Sequence, residues 1–163
     1  MAESSGKQEI ERKFRLALTT LPFSLDAQPR SHIEQGYLAI SSSTTQEVRM
    51  RNRNGNLTLT VKTGTGVVRG EGEVTLSQEQ FQALWPFTEG QRIEKTRHEI
   101  DLGTLTAELD VYAGRHEGLA VVEVEFCSRG AARNFEPPDW FGEEVTENPQ
   151  YSNQQLALTG AAP

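Results

Sequence analysis

At 163 residues, with 36% apolar and 24% charged side chains, the chain is long enough for one hydrophobic core and is not composed like a disordered segment. No apolar run approaches the roughly 18 residues of a membrane helix, or supplies the apolar centre of a secretory signal, so no membrane span is expected and the expected location is the cytoplasm. A net charge of −7 argues against nucleic acid or an anionic membrane as the main partner, although a local cluster of bases can still dominate a cleft.

No repeat or linker divides the sequence, so one domain over 1–163 is expected, with loose ends at 1–7 and 161–163. Period-two alternation predicts eight strands, at about 8–17, 32–40, 46–53, 57–63, 67–75, 92–101, 104–112 and 119–127. Asn54-Gly55 marks a hairpin, because both residues tolerate the positive φ of a tight turn. A helix is expected over 77–85, opened by Ser77 and Gln80 and carrying Phe81, Leu84 and Trp85 on one stripe. Shorter helices are expected over 128–135, stopped by Pro137-Pro138, and over 152–159. The single cysteine, Cys127, excludes an internal disulfide and fits a reducing compartment; it reads as a small buried filler.

The polarity of the alternation carries the functional argument. Successive side chains of a strand point to opposite sides of the sheet. Glu9, Glu11 and Lys13 therefore share one face of the first strand, opposite Ile10 and Phe14, with Arg12 as an exception. Arg49 and Arg51 share a face, as do Thr58, Thr60 and Lys62, then Arg69, Glu71 and Glu73, then Lys95 and Arg97. Glu108 pairs with Asp110, and Glu123 with Glu125. On any one strand, charges facing water explain this. Like-charged neighbours recurring on strand after strand gain nothing from one another on an exposed face.

Convergence of these faces accounts for the pattern. Eight strands suffice to close a barrel that holds side chains and one small ligand. The expected fold is therefore mostly β: a closed, eight-stranded antiparallel barrel with a charged interior and a few helices packed outside. Seven bases (Lys13, Arg49, Arg51, Lys62, Arg69, Lys95, Arg97) would meet eight acids (Glu9, Glu11, Glu71, Glu73, Glu108, Asp110, Glu123, Glu125). Enclosing such charges is costly unless they are paired, so an interior like this implies a function. Around the sixth strand Glu94, Thr96 and His98 leave the other face polar, and that face is expected to be solvated.

A small anionic substrate such as a triphosphate suits this interior, because guanidinium and ammonium groups bind phosphoryl oxygens by charge-assisted hydrogen bonds. Carboxylates beside so much phosphate would repel it unless a hard cation lies between them, which points to magnesium or manganese. Such a cation would also activate water for in-line attack. No Walker-type phosphate loop, nucleophile elbow or zinc-ligand spacing occurs, and His32, His98 and His116 read as structural or surface residues. Tyr37 falls at an inward parity, where packing or a hydrogen bond tuning Lys13 as an acid or base are both open to it.

The string EIERKF, followed in order by QGYL, EVRMR, LTVK, VRGEGE, EKTR, AELDV, VVEVEF and a C-terminal WFGEEVTENPQYSN, resembles the CYTH superfamily of triphosphate tunnel metalloenzymes over about 8–159. The resemblance implies an eight-stranded tunnel with divalent-metal-dependent phosphohydrolase or cyclase activity. It implies metal ligation by Glu9, Glu11, Glu123 and Glu125. It further implies triphosphate contacts from Lys13, Arg49, Arg51, Lys62, Lys95 and Arg97, with Arg69 a weaker assignment. Lys13, Tyr37, Glu9 and Glu11 are the expected catalytic group. The WFG segment is most similar to that of small inorganic triphosphatases, which split tripolyphosphate into pyrophosphate and phosphate. A nucleoside or thiamine triphosphatase, a class IV-type adenylate cyclase and a polyphosphate-binding module are the alternatives.

Overall fold

The alternating runs fold as eight strands: β1 (Ile10–Arg15), β2 (Arg30–Ser41), β3 (Gln46–Arg53), β4 (Asn56–Thr63), β5 (Gly70–Thr75), β6 (Arg92–Asp101), β7 (Thr106–Tyr112) and β8 (Ala120–Phe126). The structure is a computed structural model, and it describes residues 10–41, 46–63 and 70–160. The strands form one antiparallel sheet in the order β1-β8-β7-β6-β2-β3-β4-β5. Asn54 and Gly55, at φ of 50° and 88°, make the tight β3–β4 turn that their sequence calls for. A register shift between Tyr37 and Ala39 breaks the parity of β2, so Tyr37 lies opposite Arg49 while Ile40 lies opposite Glu47.

Hydrogen bonding does not close this sheet among the described residues: β1 and β5 are its two ends. The cause lies on the outer edge of β1, where the C-terminal chain runs alongside. Arg15 N–H donates to Glu143 O at 2.8 Å, Val145 N–H donates to Lys13 O at 2.8 Å, and Lys13 N–H donates to Thr146 Oγ1 at 3.0 Å. These are the backbone groups that a flanking strand would have used. The approach is so close that a Cβ on Gly142 would stand 2.1 Å from the Arg15 carbonyl oxygen. Gly142→Ala must push the two backbones apart, and we expect it to lower unfolding free energy in urea by about 1–3 kcal/mol. An unchanged urea midpoint would mean that this segment does not lie against β1.

Among the described residues three α-helices accompany the sheet: α1 (Gln78–Leu84), α2 (Arg129–Asn134) and α3 (Asn153–Thr159). A capping box starts α1, with Ser77 Oγ accepting from Gln80 N–H and Gln80 Oε1 accepting from Ser77 N–H. Phe81 of α1 packs on Met50 and Leu57, covering the apolar face of the β3–β4 hairpin. Ala131, Ala132 and Phe135, in and just after α2, cover Phe14, Val122, Val124 and Phe126 on the same side of the sheet. Helix α3 departs from the expectation of helices outside. Its Leu156 and Ala157 pack with Tyr37, Ile93, Tyr112 and Val121, all of which belong to the charged face. One end of that face is thus apolar and lies under a helix.

Two local expectations, for Cys127 and for the outer side of β6, need correction, and the Arg12 exception finds its reason. Cys127 is exposed, because Phe126 takes the last buried position of β8 and the chain turns outward after it. The polar outer side of β6 is only partly solvated: Glu94 is exposed, whereas His98 is buried beside Leu25 and Arg30. Arg12, the exception on β1, sits on the apolar face, where its Nε and Nη2 donate to Glu144 at 2.8 and 2.6 Å. Its Nη1 donates to the carbonyls of Ala132 and Phe135 at the end of α2. Its charge is used where α2 leaves backbone acceptors unpaired.

Candidate active site

Residues directly opposed in an antiparallel ladder share a face. Glu11 opposes Glu125, Lys13 opposes Glu123, and Glu123 in turn opposes Glu108. Asp110 opposes Arg97. Ile33 links Lys95 on one side to Arg53 on the other. Arg51 opposes Gln35 and Thr58, while Lys62 opposes Glu47 and Glu71. Every described candidate therefore lies on one face of the sheet: Glu11, Lys13, Tyr37, Arg49, Arg51, Lys62, Glu71, Glu73, Lys95, Arg97, Glu108, Asp110, Glu123 and Glu125. Glu9 and Arg69 lie outside the described residues.

The face divides into two halves. Strands β6, β7, β8 and β1 carry a buried, tightly bonded ion network. Lys95 is 2% exposed and Asp110 0%. Lys95 Nζ lies 2.5 Å from Asp110 Oδ2, and Arg97 grips both Asp110 oxygens at 2.7 Å. Arg97 also bonds Glu108 and reaches Glu123 at 3.2 Å, crossing β7 to do so. Lys13 Nζ completes the chain at 2.7 Å from Glu123 and 4.0 Å from Glu11. It also donates to the Tyr151 carbonyl at 3.5 Å.

Burial alone would push Asp110 and Glu123 upward, but the surrounding bases outweigh it and hold both carboxyls below the ordinary range. Burial pushes Lys95 downward against the pull of Asp110. Lys13 is raised, since Glu123, Glu11 and Asp110 overcome its burial. Glu108 is raised by burial, with Asp110, Glu123 and Glu125 adding to the effect.

Strands β3, β4 and β5 form the looser half. Arg49 lies 3.6 Å from Glu47, Arg51 3.4 Å from Glu73, and Lys62 3.1 Å from Glu71. Burial lowers Arg51, and the neighbouring Arg49, Arg97 and Arg53 lower it further, so cations outnumber anions around it. Tyr37 is 1% exposed, and its hydroxyl accepts from Gln35 Nε2 at 2.7 Å beside Arg49. Burial pushes the phenol well up, which keeps it protonated at neutral pH. Lys13, which the sequence offered as a hydrogen-bond partner for this phenol, is directed to Glu123 and the Tyr151 carbonyl.

Four residues of this face were missed in the sequence. Glu47, Arg53 and Glu99 continue the parity of β3 and β6 by one more alternate position, and Gln35 precedes Tyr37 by two. Arg53 pairs with Glu99 at 2.7 Å and donates to Ser31 Oγ at 3.1 Å. Counting alternate positions to the ends of the strands would have found all four. The histidines are structural or surface residues: His116 is buried with Nε2 2.9 Å from the Leu156 carbonyl, and His32 is half exposed.

The carboxylates suit a hard divalent cation in their chemistry. On this face three like-charged pairs, Glu11 with Glu125, Glu108 with Glu123 and Glu99 with Glu108, stand opposite one another on adjacent strands. Such pairs repel unless a cation or base lies between them. Among the described residues no three acid, histidine or cysteine side chains converge as a complete cage. Magnesium needs no such cage, since one or two carboxylates with water and substrate phosphate suffice.

A family model described as the CYTH domain matches residues 7–157. The chain is 47% identical over 154 residues to an inorganic triphosphatase of Nitrosomonas europaea, covering 93% of this chain and 97% of that protein. The crystal structure of the inorganic triphosphatase NE1496 superposes with a TM-score of 0.72 at 42% identity, covering 93% of this chain and 95% of that one. The PH1012 protein from Pyrococcus horikoshii shares the fold, with a TM-score of 0.56 at 20% identity over 77% of this chain and 83% of that one.

Proposed function

Because the chain belongs to the CYTH domain family, we propose that it hydrolyses inorganic tripolyphosphate to pyrophosphate and phosphate, with magnesium or manganese as cofactor. The observation that carries this reading is the gathering of Lys13, Arg49, Arg51, Lys62, Lys95 and Arg97 on one sheet face, with the carboxylates of β1, β7 and β8 beside them. The 47% identity to an inorganic triphosphatase supports the choice of substrate.

In this reading the sheet curls until its charged face lines a tunnel. The reach of Arg97 across β7 to Glu123 supports the curvature, as does the influence of Arg97 on Arg51. The apolar patch under α3 forms one end. Arg49, Arg51 and Lys62 bind phosphoryl oxygens; the pairs of Arg49 and Arg51 are long, at 3.6 and 3.4 Å, and an anion of higher charge can displace them. Lys95 and Asp110 hold Arg97 in place from below. Lys13, anchored by Glu123, presents a cation at the carboxylate end of the face. Glu11, Glu123 and Glu125 would hold the cation, together with Glu9 beyond the described residues. When bound, that cation supplies charge neutralisation and an activated water. Tyr37, protonated and buried, positions Gln35 and Arg49 in place of acting as a base. The work is done in the cytoplasm, which the lone cysteine supports; among the described residues no helix is long and apolar enough to cross a membrane.

The test measures phosphate release from tripolyphosphate, ATP and thiamine triphosphate with magnesium and then manganese, alongside cyclic AMP formed from ATP. Tripolyphosphate should turn over fastest, yielding one pyrophosphate per phosphate. Preference for ATP or thiamine triphosphate, or accumulation of cyclic AMP, would overturn the assignment of substrate.

A further inference from the structure

Folded proteins leave few buried polar atoms without a partner. Three stand out among the described residues, and two of them, Thr58 Oγ1 and Arg49 Nε, lie on the charged face of the β3–β4 hairpin. Thr58 is 5% exposed, directly opposite Arg51 in the ladder. Two residues along the same strand and on the same face, Thr60 donates to Glu73 at 2.8 Å. A hydroxyl in this environment can thus be satisfied by the protein, and the one beside Arg51 is left without such a partner.

From this we infer that Thr58 is a specificity-determining residue, donating its hydroxyl hydrogen bond to a phosphoryl oxygen of the bound anion while Arg49 Nε donates to the same phosphoryl group. The inference rests on the reading of this face as the triphosphate site. Its chemistry follows from donor and acceptor count. Arg49 Nε can only donate, a hydroxyl can donate or accept, and a fully ionised phosphoryl group can only accept. Two unmatched donors flanking Arg51 are complementary to an acceptor-only ligand. They discriminate against one that places a hydrogen-bond donor or an apolar edge there, because burying an unpaired polar group is costly.

Thr58→Val keeps the shape of the side chain and removes the hydroxyl. It should raise KM for tripolyphosphate by about tenfold, the size expected of one hydrogen bond to a charged group, with kcat nearly unchanged. The inhibition constant for pyrophosphate should rise in parallel. Melting temperature should stay level or increase, since the hydroxyl has no partner within the protein to lose, and Thr58→Ser should restore KM. A hydroxyl with a purely structural role predicts the opposite pattern, with lower melting temperature and unaltered KM, and that result would overturn the inference. Arg51→Ala serves as the companion variant. If it raises KM while Thr58→Val does not, the site stands and the role of Thr58 is lost; if neither moves KM, the reading of the face falls as well.

Discussion

Asp110→Asn should lose about 3–5 kcal/mol of stability in urea at neutral pH, the cost of stripping one partner from a buried ion pair. Asp110 is fully enclosed and is the only carboxylate within bonding distance of both Lys95 and Arg97 among the described residues. An asparagine keeps the size and some hydrogen bonds but leaves Lys95 charged in a pocket that already pushes its proton off. The pH dependence gives a second arm. Asp110 and Glu123 both hold pKa values below those of the unfolded chain, so near pH 4 the folded protein binds fewer protons than the unfolded one. Their stabilisation is full above the unfolded pKa values and disappears as pH falls through the folded ones. Glu108, which is raised, acts in the opposite sense. Asp110→Asn should therefore flatten the acid side of the stability profile as well as lower the plateau. A variant that unfolds at the wild-type urea concentration with an unchanged acid slope would show that the buried network does not hold this half of the sheet.

The strands, the polarity of their faces and the membership of nearly every charged site residue were legible because a strand has a period of two. Parity needs no knowledge of partners, so Arg51 and Glu123 could be placed on a common face before either was placed in space. What parity could not reveal was anything that depends on how distant segments meet. The backbone of 142–146 lies along β1 and takes the edge that barrel closure would need, and its only sequence trace is a glycine in WFGEEV whose absent side chain makes room for Arg15 O. Helix α3 shows an apolar pair, Leu156 and Ala157, that looks the same whether it packs on the outer or the charged side of a sheet. The division of the ionic face into a buried half and a looser half is likewise invisible in sequence. Lys95 and Lys62 are the same residue type at the same parity, yet one is sealed against Asp110 and the other meets a half-exposed Glu71.

Within the buried half itself, Glu11 lies at the exposed margin of β1, and Glu11→Gln tests whether turnover can be lost there without stability. The Glu11 side chain is 41% exposed and stands opposite Glu125, so removing its charge relieves that repulsion, while Lys13 loses only a 4.0 Å contact and keeps its 2.7 Å bond to Glu123. Melting temperature should be unchanged or slightly higher. Turnover of tripolyphosphate should nevertheless fall by about 10²–10³-fold, the scale of losing one electrostatic element of a phosphoryl-transfer site. The concentration of magnesium or manganese giving half-maximal rate should rise in the same variant, because an amide oxygen is a far weaker ligand for a hard cation than a carboxylate. Direct titration of manganese into the unliganded protein, followed by its electron paramagnetic resonance signal, reads that loss without any turnover. Wild-type turnover and manganese affinity in Glu11→Gln would remove β1 from the cation site and leave its carboxylate only as the neighbour of Lys13. Stability intact with catalysis lost in Glu11→Gln, set against stability lost in Asp110→Asn, is the outcome expected if the exposed carboxylate of β1 serves the cation while the enclosed carboxylate of β7 holds the sheet.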